Sequence, residues 1–246
     1  VTYTFSPFDV EDMRLQLGHE LAMRNFVTDK SGVKTIEIVG ASFTANERSI
    51  FGEVNTEWSQ REVRWYLSES LNVNDIPMPI PEIWKQVADK DGFINSNYGW
   101  MLLSKENGGQ FRRVVEELQR NPLSRRALAI YTRPSMWDDY NKNGRSDFCC
   151  TNAVQYLVRD GRVHAVVQMR SNDAVFGYKG DFYWQRYALS LVAAALSIDM
   201  GEITWQVGSL HVYERHFYMV DHFMRTGEHA IKKADYAAKY PDSEWK

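Results

Sequence analysis

Two adjacent cysteines, Cys149 and Cys150, end a polar run in DDYNKNGRSDFCCTN, residues 138–152. Three chemistries compete for this stretch. Asp139, Asn141, Asn143 and Gly144 match the first half of a calcium loop, but such a loop closes with a bidentate Glu at its twelfth position. Counted from Asp139, that position is Cys150, and strands are expected on both sides instead of two helices, so a polar turn accounts better for the oxygens. Zinc needs three or four ligands at spacings such as CxxC or HxxxH. The CC pair lacks that spacing, and His164, His211, His216 and His222 do not cluster with it, so no metal site is expected. The third chemistry is nucleophilic. A thiol beside arginines has its pKa drawn from about 8.5 toward neutrality, and Arg125, Arg126, Arg133 and Arg170 are available. A cysteine is more often a small buried hydrophobe than a catalyst, so residue type alone leaves both readings open.

A second cluster is MRSND followed by FGYKGDFYWQRY. Arg170 offers a charged fork and Ser171 a hydroxyl, a pair suited to phosphate. Asp173 and Asp181 follow, and Gly177 and Gly180 permit a tight backbone. An equal reading is a solvated loop with a helix cap, because Asp181 immediately precedes an apolar helix.

The elements that must position these groups alternate between helical and strand periodicity. Residues 9–25 read as a helix opened by an Asp cap and an acidic first turn. TDKSG is a turn and VKTIEIVGASF a strand. Helices are expected over 56–70 and 81–90, the second with Pro81 in its first turn. DGFINSNYGWMLL is a loop leading into an apolar segment, and GGQFRRVVEELQRNP a helix stopped at Asn121-Pro122. After the strand RRALAIYT, NAVQYLVRDGRVHAVVQMRS alternates on both sides of Asp160-Gly161, a strong hairpin signal. An apolar helix over 181–198, a strand ITWQVGSLHVY and a helix ERHFYMVDHFMRTG ended by Gly227 complete the pattern. No repeat or linker interrupts it, so one mixed α/β domain over 1–246 is the economical reading.

Composition narrows the function classes. Hydrophobic residues at 44% and charged residues at 25% suit a soluble chain with a sizeable core. A net charge of -3 argues against a general nucleic-acid or membrane-surface binder, so no direct DNA binding is expected. The longest apolar run, ALSLVAAALSI, is too short to cross a bilayer, and no signal-peptide pattern precedes the first periodic segment. Adjacent cysteines do not readily form an unstrained disulfide, which favours a reducing, cytoplasmic setting. Eight tryptophans suit a ligand that stacks, although core packing explains most of them.

Seven segments in register, QREVRWYL, IWKQVADKDGFINSNYG, SRR, YTRPSM, DFCCTNAVQYLV, MRSNDAVFG and GSLHVY, resemble the thymidylate synthase superfamily. The likeness is with its phage-type deoxycytidylate hydroxymethylase branch, and it covers most of the chain. It implies an α+β thymidylate synthase-like fold, a mixed β-sheet flanked by helices that dimerises through the sheet. It also implies transfer of a one-carbon unit from 5,10-methylenetetrahydrofolate to C5 of a pyrimidine nucleotide. By the resemblance Cys150 is the nucleophile that adds to C6, while Cys149 falls on a non-catalytic position. Glu62 matches the carboxylate that orders water and moves protons. Arg170 and Ser171 hold phosphate, with Lys30 in a phosphate loop and Arg125 and Arg126 reaching across from the partner of a homodimer. His211 and Tyr213 match residues that bind the sugar hydroxyl. Trp84, Tyr98 and Asp173 match positions at the folate.

Asp181 stands where thymidylate synthases resemble one another in carrying Asn. An amide satisfies uracil, whereas an ionised carboxylate only accepts and suits cytosine N4–H2 and a protonated N3. Asp181 therefore directs the expectation to deoxycytidylate, and the overall likeness to hydroxymethylation. The ending PDSEWK lacks the short apolar terminus that closes over folate in methyl-forming relatives, which implies a lid open to water. A cytidylate-selective relative, a deoxyuridylate-modifying enzyme and a non-catalytic nucleotide- or RNA-binding protein are the alternatives.

Overall fold

A computed structural model describes residues 6–229 and 232–246. In chain order the elements are α1 (Val10–Ala22), β1 (Val27–Thr28), β2 (Lys34–Thr44), α2 (Thr56–Leu67), α3 (Glu82–Val87), α4 (Tyr98–Leu103), α5 (Gln110–Arg120) and β3 (Leu128–Ile130). They continue with α6 (Met136–Asp139), β4 (Thr151–Arg159), β5 (Arg162–Asp173), α7 (Gly177–Leu196), β6 (Asp199–Tyr213), α8 (Phe217–Thr226) and α9 (Lys233–Lys239). The strands run β1-β2-β6-β5-β4-β3 in one sheet. The chain folds into two compact units and enters each more than once.

The first unit holds the segment through Val54, Arg170–Phe182 and the segment from Thr204 onward. Asp9 caps α1 as its type predicts: its carboxylate accepts from the Glu11 and Asp12 amides while Asp12 accepts from the Asp9 amide. The helix buries Val10, Met13, Leu17 and Leu21, spaced as one apolar face. Arg14 is buried on that face, and Glu47 and the carbonyls of Ser49 and Ile50 satisfy it. Asp29 ties the TDKSG turn by accepting from the Ser31 amide and hydroxyl and the Val33 amide. Strand β2 pairs antiparallel with β6 from Thr35↔Tyr213 to Thr44↔Thr204. Near the C-terminus Trp245 packs edge-on against Phe217, with ring centroids 5.3 Å apart.

The second unit comprises Asn55–Met169 and Tyr183–Ile203. Here β3, β4 and β5 pair antiparallel in turn. The β4–β5 turn is the expected one, with positive φ at both Asp160 (48°) and Gly161 (73°), as a two-residue hairpin requires. Helix α2 buries Ser59, Glu62, Val63 and Tyr66, a helical stripe that carries one carboxylate inward. Pro81 is the cap before α3, not a residue of its first turn, and that helix stops at Val87.

Two expectations about boundaries change. The polar run before the cysteines lies between strands β3 and β4 as expected, but it is more than a turn: it begins within the short helix α6 and contains a 3-10 turn over Lys142–Gly144. Helix α7 begins at Gly177, four residues ahead of the expected start, so Asp181 is an interior residue of a helix and not its cap. Within the part of α7 that belongs to the second unit, Trp184, Ala188, Leu189 and Val192 are buried. No helix among the described residues is long and apolar enough to cross a membrane.

Candidate active site

In the second unit, the two cysteines at the start of β4 have different surroundings. Cys149 is fully buried, its thiol donating to the Thr151 carbonyl at 3.0 Å and lying 3.8 Å from Met101 Sδ. Cys150 is half-buried. An irregularity in the β4–β5 register falls at Thr151–Ala153, immediately after the pair, where such a bulge re-aims side chains.

The polar run in front of them is an internal clamp. Buried Asp147 accepts from the Asn95 amide at 2.6 Å, the Ser96 amide at 2.8 Å and the Ser96 hydroxyl at 2.6 Å. Burial raises its carboxyl pKa against these bonds, which favour the charged form. Arg145 extends the clamp to Asn95 at 2.6 Å and Asp89 at 2.9 Å. Asp139, the supposed first calcium ligand, is instead bound by Arg133 at 2.9 Å. Among the described residues no group of three or more His, Cys, Asp or Glu is placed to hold a metal ion.

Glu62 is a second buried carboxyl in this unit. Burial pushes its pKa up to about 7, against hydrogen bonds from Trp84 and Tyr66 that pull it down. The indole Nε1 of Trp84 donates to Glu62 Oε1 at 3.2 Å. An aromatic shell fixes these partners. Trp84 meets Trp65 edge-on at 5.1 Å, Tyr66 meets Tyr98 at 5.5 Å and Trp184 at 5.1 Å, and Tyr98 meets Tyr131 at 5.4 Å. Gly99 makes the packing possible: a Cβ there would sit 1.8 Å from the Tyr66 carbonyl oxygen. A buried carboxyl that titrates near neutrality can both take and return a proton. On the same unit Arg125 and Arg126 are exposed, with Arg126 paired to Glu117 at 3.1 Å.

The first unit carries the remaining candidates. Arg170 is exposed, and Ser171, Asp173, Asp181, His211 and Tyr213 are half-buried. Gly208 admits the backbone of Arg170, since a Cβ there would lie 2.7 Å from its carbonyl oxygen. Asp173 accepts from the Val175 amide at 2.9 Å, closing the turn into α7. His211 and Tyr213 meet edge-on at 4.9 Å, and the Arg215 guanidinium lies 4.4 Å from the Tyr213 ring centre. Lys30 is exposed on the TDKSG turn. Sequence reading missed Asn172, which is buried: its amide nitrogen donates to Asp181 Oδ2 at 2.7 Å and its oxygen accepts from Trp205 Nε1 at 3.2 Å. It also missed Asp147 and Arg145, whose partners are remote in sequence.

The thymidylate synthase family model matches residues 20–239, which include every one of these candidates. The chain belongs to the thymidylate synthase family. It is 56% identical over 238 residues to the deoxycytidylate 5-hydroxymethyltransferase of Enterobacteria phage T4, covering 94% of this chain and 97% of the relative. The phage T2 enzyme of the same name is 54% identical over 244 residues, covering 96% and 97%. Thymidylate synthase 1 of Bacillus subtilis (strain 168) is 26% identical over 200 residues, covering 77% of this chain and 70% of the relative. The structure of thermostable thymidylate synthase A from Bacillus subtilis superposes with a TM-score of 0.67 at 23% identity, covering 86% of this chain and 83% of that one. That superposition agrees with the expected α+β thymidylate synthase-like fold.

Proposed function

We propose that the chain converts deoxycytidylate, 5,10-methylenetetrahydrofolate and water into 5-hydroxymethyl-deoxycytidylate and tetrahydrofolate. The observation that carries this reading is 54–56% identity, over nearly the whole chain, with phage enzymes named for that transfer. C5 of a plain pyrimidine is a poor nucleophile. Addition of the Cys150 thiolate to C6 turns the ring into an enamine and makes C5 reactive. The folate co-substrate supplies the electrophilic carbon. Glu62, with a pKa of about 7, moves protons and orders the water that supplies the hydroxyl oxygen. Asp181 recognises the cytosine edge.

Arg170, Ser171 and Lys30 hold the phosphate, and His211 and Tyr213 hold the sugar hydroxyl. Trp84, Tyr98 and Asp173 serve the folate; the half-buried indole of Trp84 beside Glu62 is a flat surface suited to a pterin ring. Arg125 and Arg126 act from the second copy of a homodimer joined through the sheet. Their exposure supports this, as do the exposed apolar side chains Val39 on β2 and Leu128 and Ile130 on β3. The chain works as a single catalytic domain. The phage origin of these relatives supports action in the cytosol of an infected bacterium.

The test is product mass. With methylenetetrahydrofolate and, in separate reactions, dCMP, CMP and dUMP, the expected result is a gain of CH2O on dCMP. A gain of CH2, or turnover of dUMP alone, overturns the reaction assigned here. Turnover of CMP alone moves the substrate to the ribonucleotide, and no product from any nucleotide favours a binding protein.

A further inference from the structure

We propose that Asn172 is a positioning residue that sets base preference by dictating which atom of residue 181 faces the nucleotide. The proposal rests on the reading of Asp181 as the residue that recognises cytosine. An indole N–H is a donor only, so the Trp205 bond at 3.2 Å compels Asn172 to present its oxygen to Trp205. The amide nitrogen is thereby committed to the other side, where it donates to Asp181 Oδ2 at 2.7 Å. Both Trp205 and Asn172 are buried, which holds the relay in a dry setting where a mismatched polar contact is costly. Gly177 leaves room for it: a Cβ there would lie 3.2 Å from Asn172 Nδ2.

The consequence is a rule of polarity. Whatever occupies position 181 must offer an acceptor to Asn172. Aspartate meets that demand with one oxygen and, being acceptor-only when ionised, can offer base N–H groups nothing but a further acceptor. Asparagine at 181 would have to turn its oxygen toward Asn172, leaving its amino group for the base, which matches the O4 acceptor of uracil. Reversing residue 172 reverses the rule. With an aspartate at 172 the relay presents an acceptor. An asparagine at 181 must then direct its amino group to that acceptor and keep its oxygen for the base.

The experiment measures dissociation constants for dCMP and dUMP by calorimetry on the full chain without folate. It covers the native protein, Asn172→Asp, Asp181→Asn and the double variant. Asn172→Asp should cut the preference for dCMP over dUMP roughly 10–100-fold, because two facing carboxylates must share a proton. Asp181→Asn should prefer dUMP, and adding Asn172→Asp to it should return the preference to dCMP. A merely structural residue would weaken both nucleotides alike and could not produce that return. A double variant that still prefers dUMP, or an Asn172→Asp protein with the native ratio, overturns the relay. Trp205→Phe frees the Asn172 amide to turn only where residue 181 can also donate. Added to Asp181→Asn it should therefore weaken the preference for dUMP, while added to the native chain it should leave the ratio unchanged, since Asp181 alone still demands a donor. It supplies the decision if Asn172→Asp does not fold, an undiminished dUMP preference in the Asp181→Asn background then overturning the relay. A native protein without any preference for dCMP overturns the reading of Asp181 instead.

Discussion

At the scale of single residues, the two cysteines separate into different jobs despite being neighbours. Cys149 is enclosed, with its thiol committed to a backbone carbonyl, while Cys150 keeps partial exposure. Cys150→Ser should reduce turnover of dCMP by at least roughly a thousandfold, since a hydroxyl is a far weaker nucleophile at neutral pH. Cys149→Ser should retain activity within about tenfold and lose only packing stability. The reverse pattern would shift the nucleophile by one position. Glu62 yields a second prediction. Its folded pKa of about 7 lies above the ordinary carboxyl value of 4.5, so the folded state binds more protons than the unfolded state between those values. Stability from this group is full below pH 4.5 and falls as pH rises through about 7, by about 3 kcal/mol in all. Glu62→Gln removes that dependence. Urea unfolding at about pH 5 and about pH 8 should show the variant gaining roughly 2–3 kcal/mol relative to the native chain across the interval. Parallel curves would contradict the assigned protonation.

At the scale of elements, the polar run before β4 acts by tying a distant loop to the segment that carries the cysteines into that strand. Asp147 gathers three donors from Asn95 and Ser96, immediately before the cap of α4, whose first residue is Tyr98. Asp147→Ala would leave those donors buried without an acceptor. The expected loss is about 3–5 kcal/mol, read by urea unfolding, with faster hydrogen exchange at the amides of residues 95 and 96. A loss under about 0.5 kcal/mol would show that the clamp is incidental. This clamp also marks where sequence reading stopped. The Asp9 cap, the Asp160-Gly161 hairpin and the Gly227 helix end were legible because each is a local bargain between a residue and its own backbone. Asp147 and Asn95 lie 52 positions apart, and Trp84 and Glu62 lie 22 apart, so no short-range pattern announces either pair. The start of α7 was misjudged for the same reason. Gly177 and Gly180 suggest a turn, but Gly177 opens the helix and lets it approach Asn172 and Asp173 closely. Resemblance named Glu62 and Asp181. It did not reveal the partners that give each its chemistry.

For the whole molecule, the decisive question is which copy of the chain supplies the phosphate grip. Arg125 and Arg126 follow α5 and are exposed on the second unit, Arg126 paired with Glu117 of its own chain. If they complete the site of a partner, two inactive proteins should rescue one another. One is Cys150→Ser with native arginines; the other keeps Cys150 but carries Arg125→Ala and Arg126→Ala. In a mixed dimer, one site combines both defects while the other joins a native Cys150 to native arginines. Random reassembly of equal amounts makes about half the dimers mixed, each with one working site, so activity should return to about a quarter of the native level. Arginines acting within their own chain would leave every site defective, and mixing would restore nothing. The same experiment measures assembly, because rescue requires subunit exchange. A native chain that sediments as a monomer while turning over dCMP would remove the need for a partner altogether.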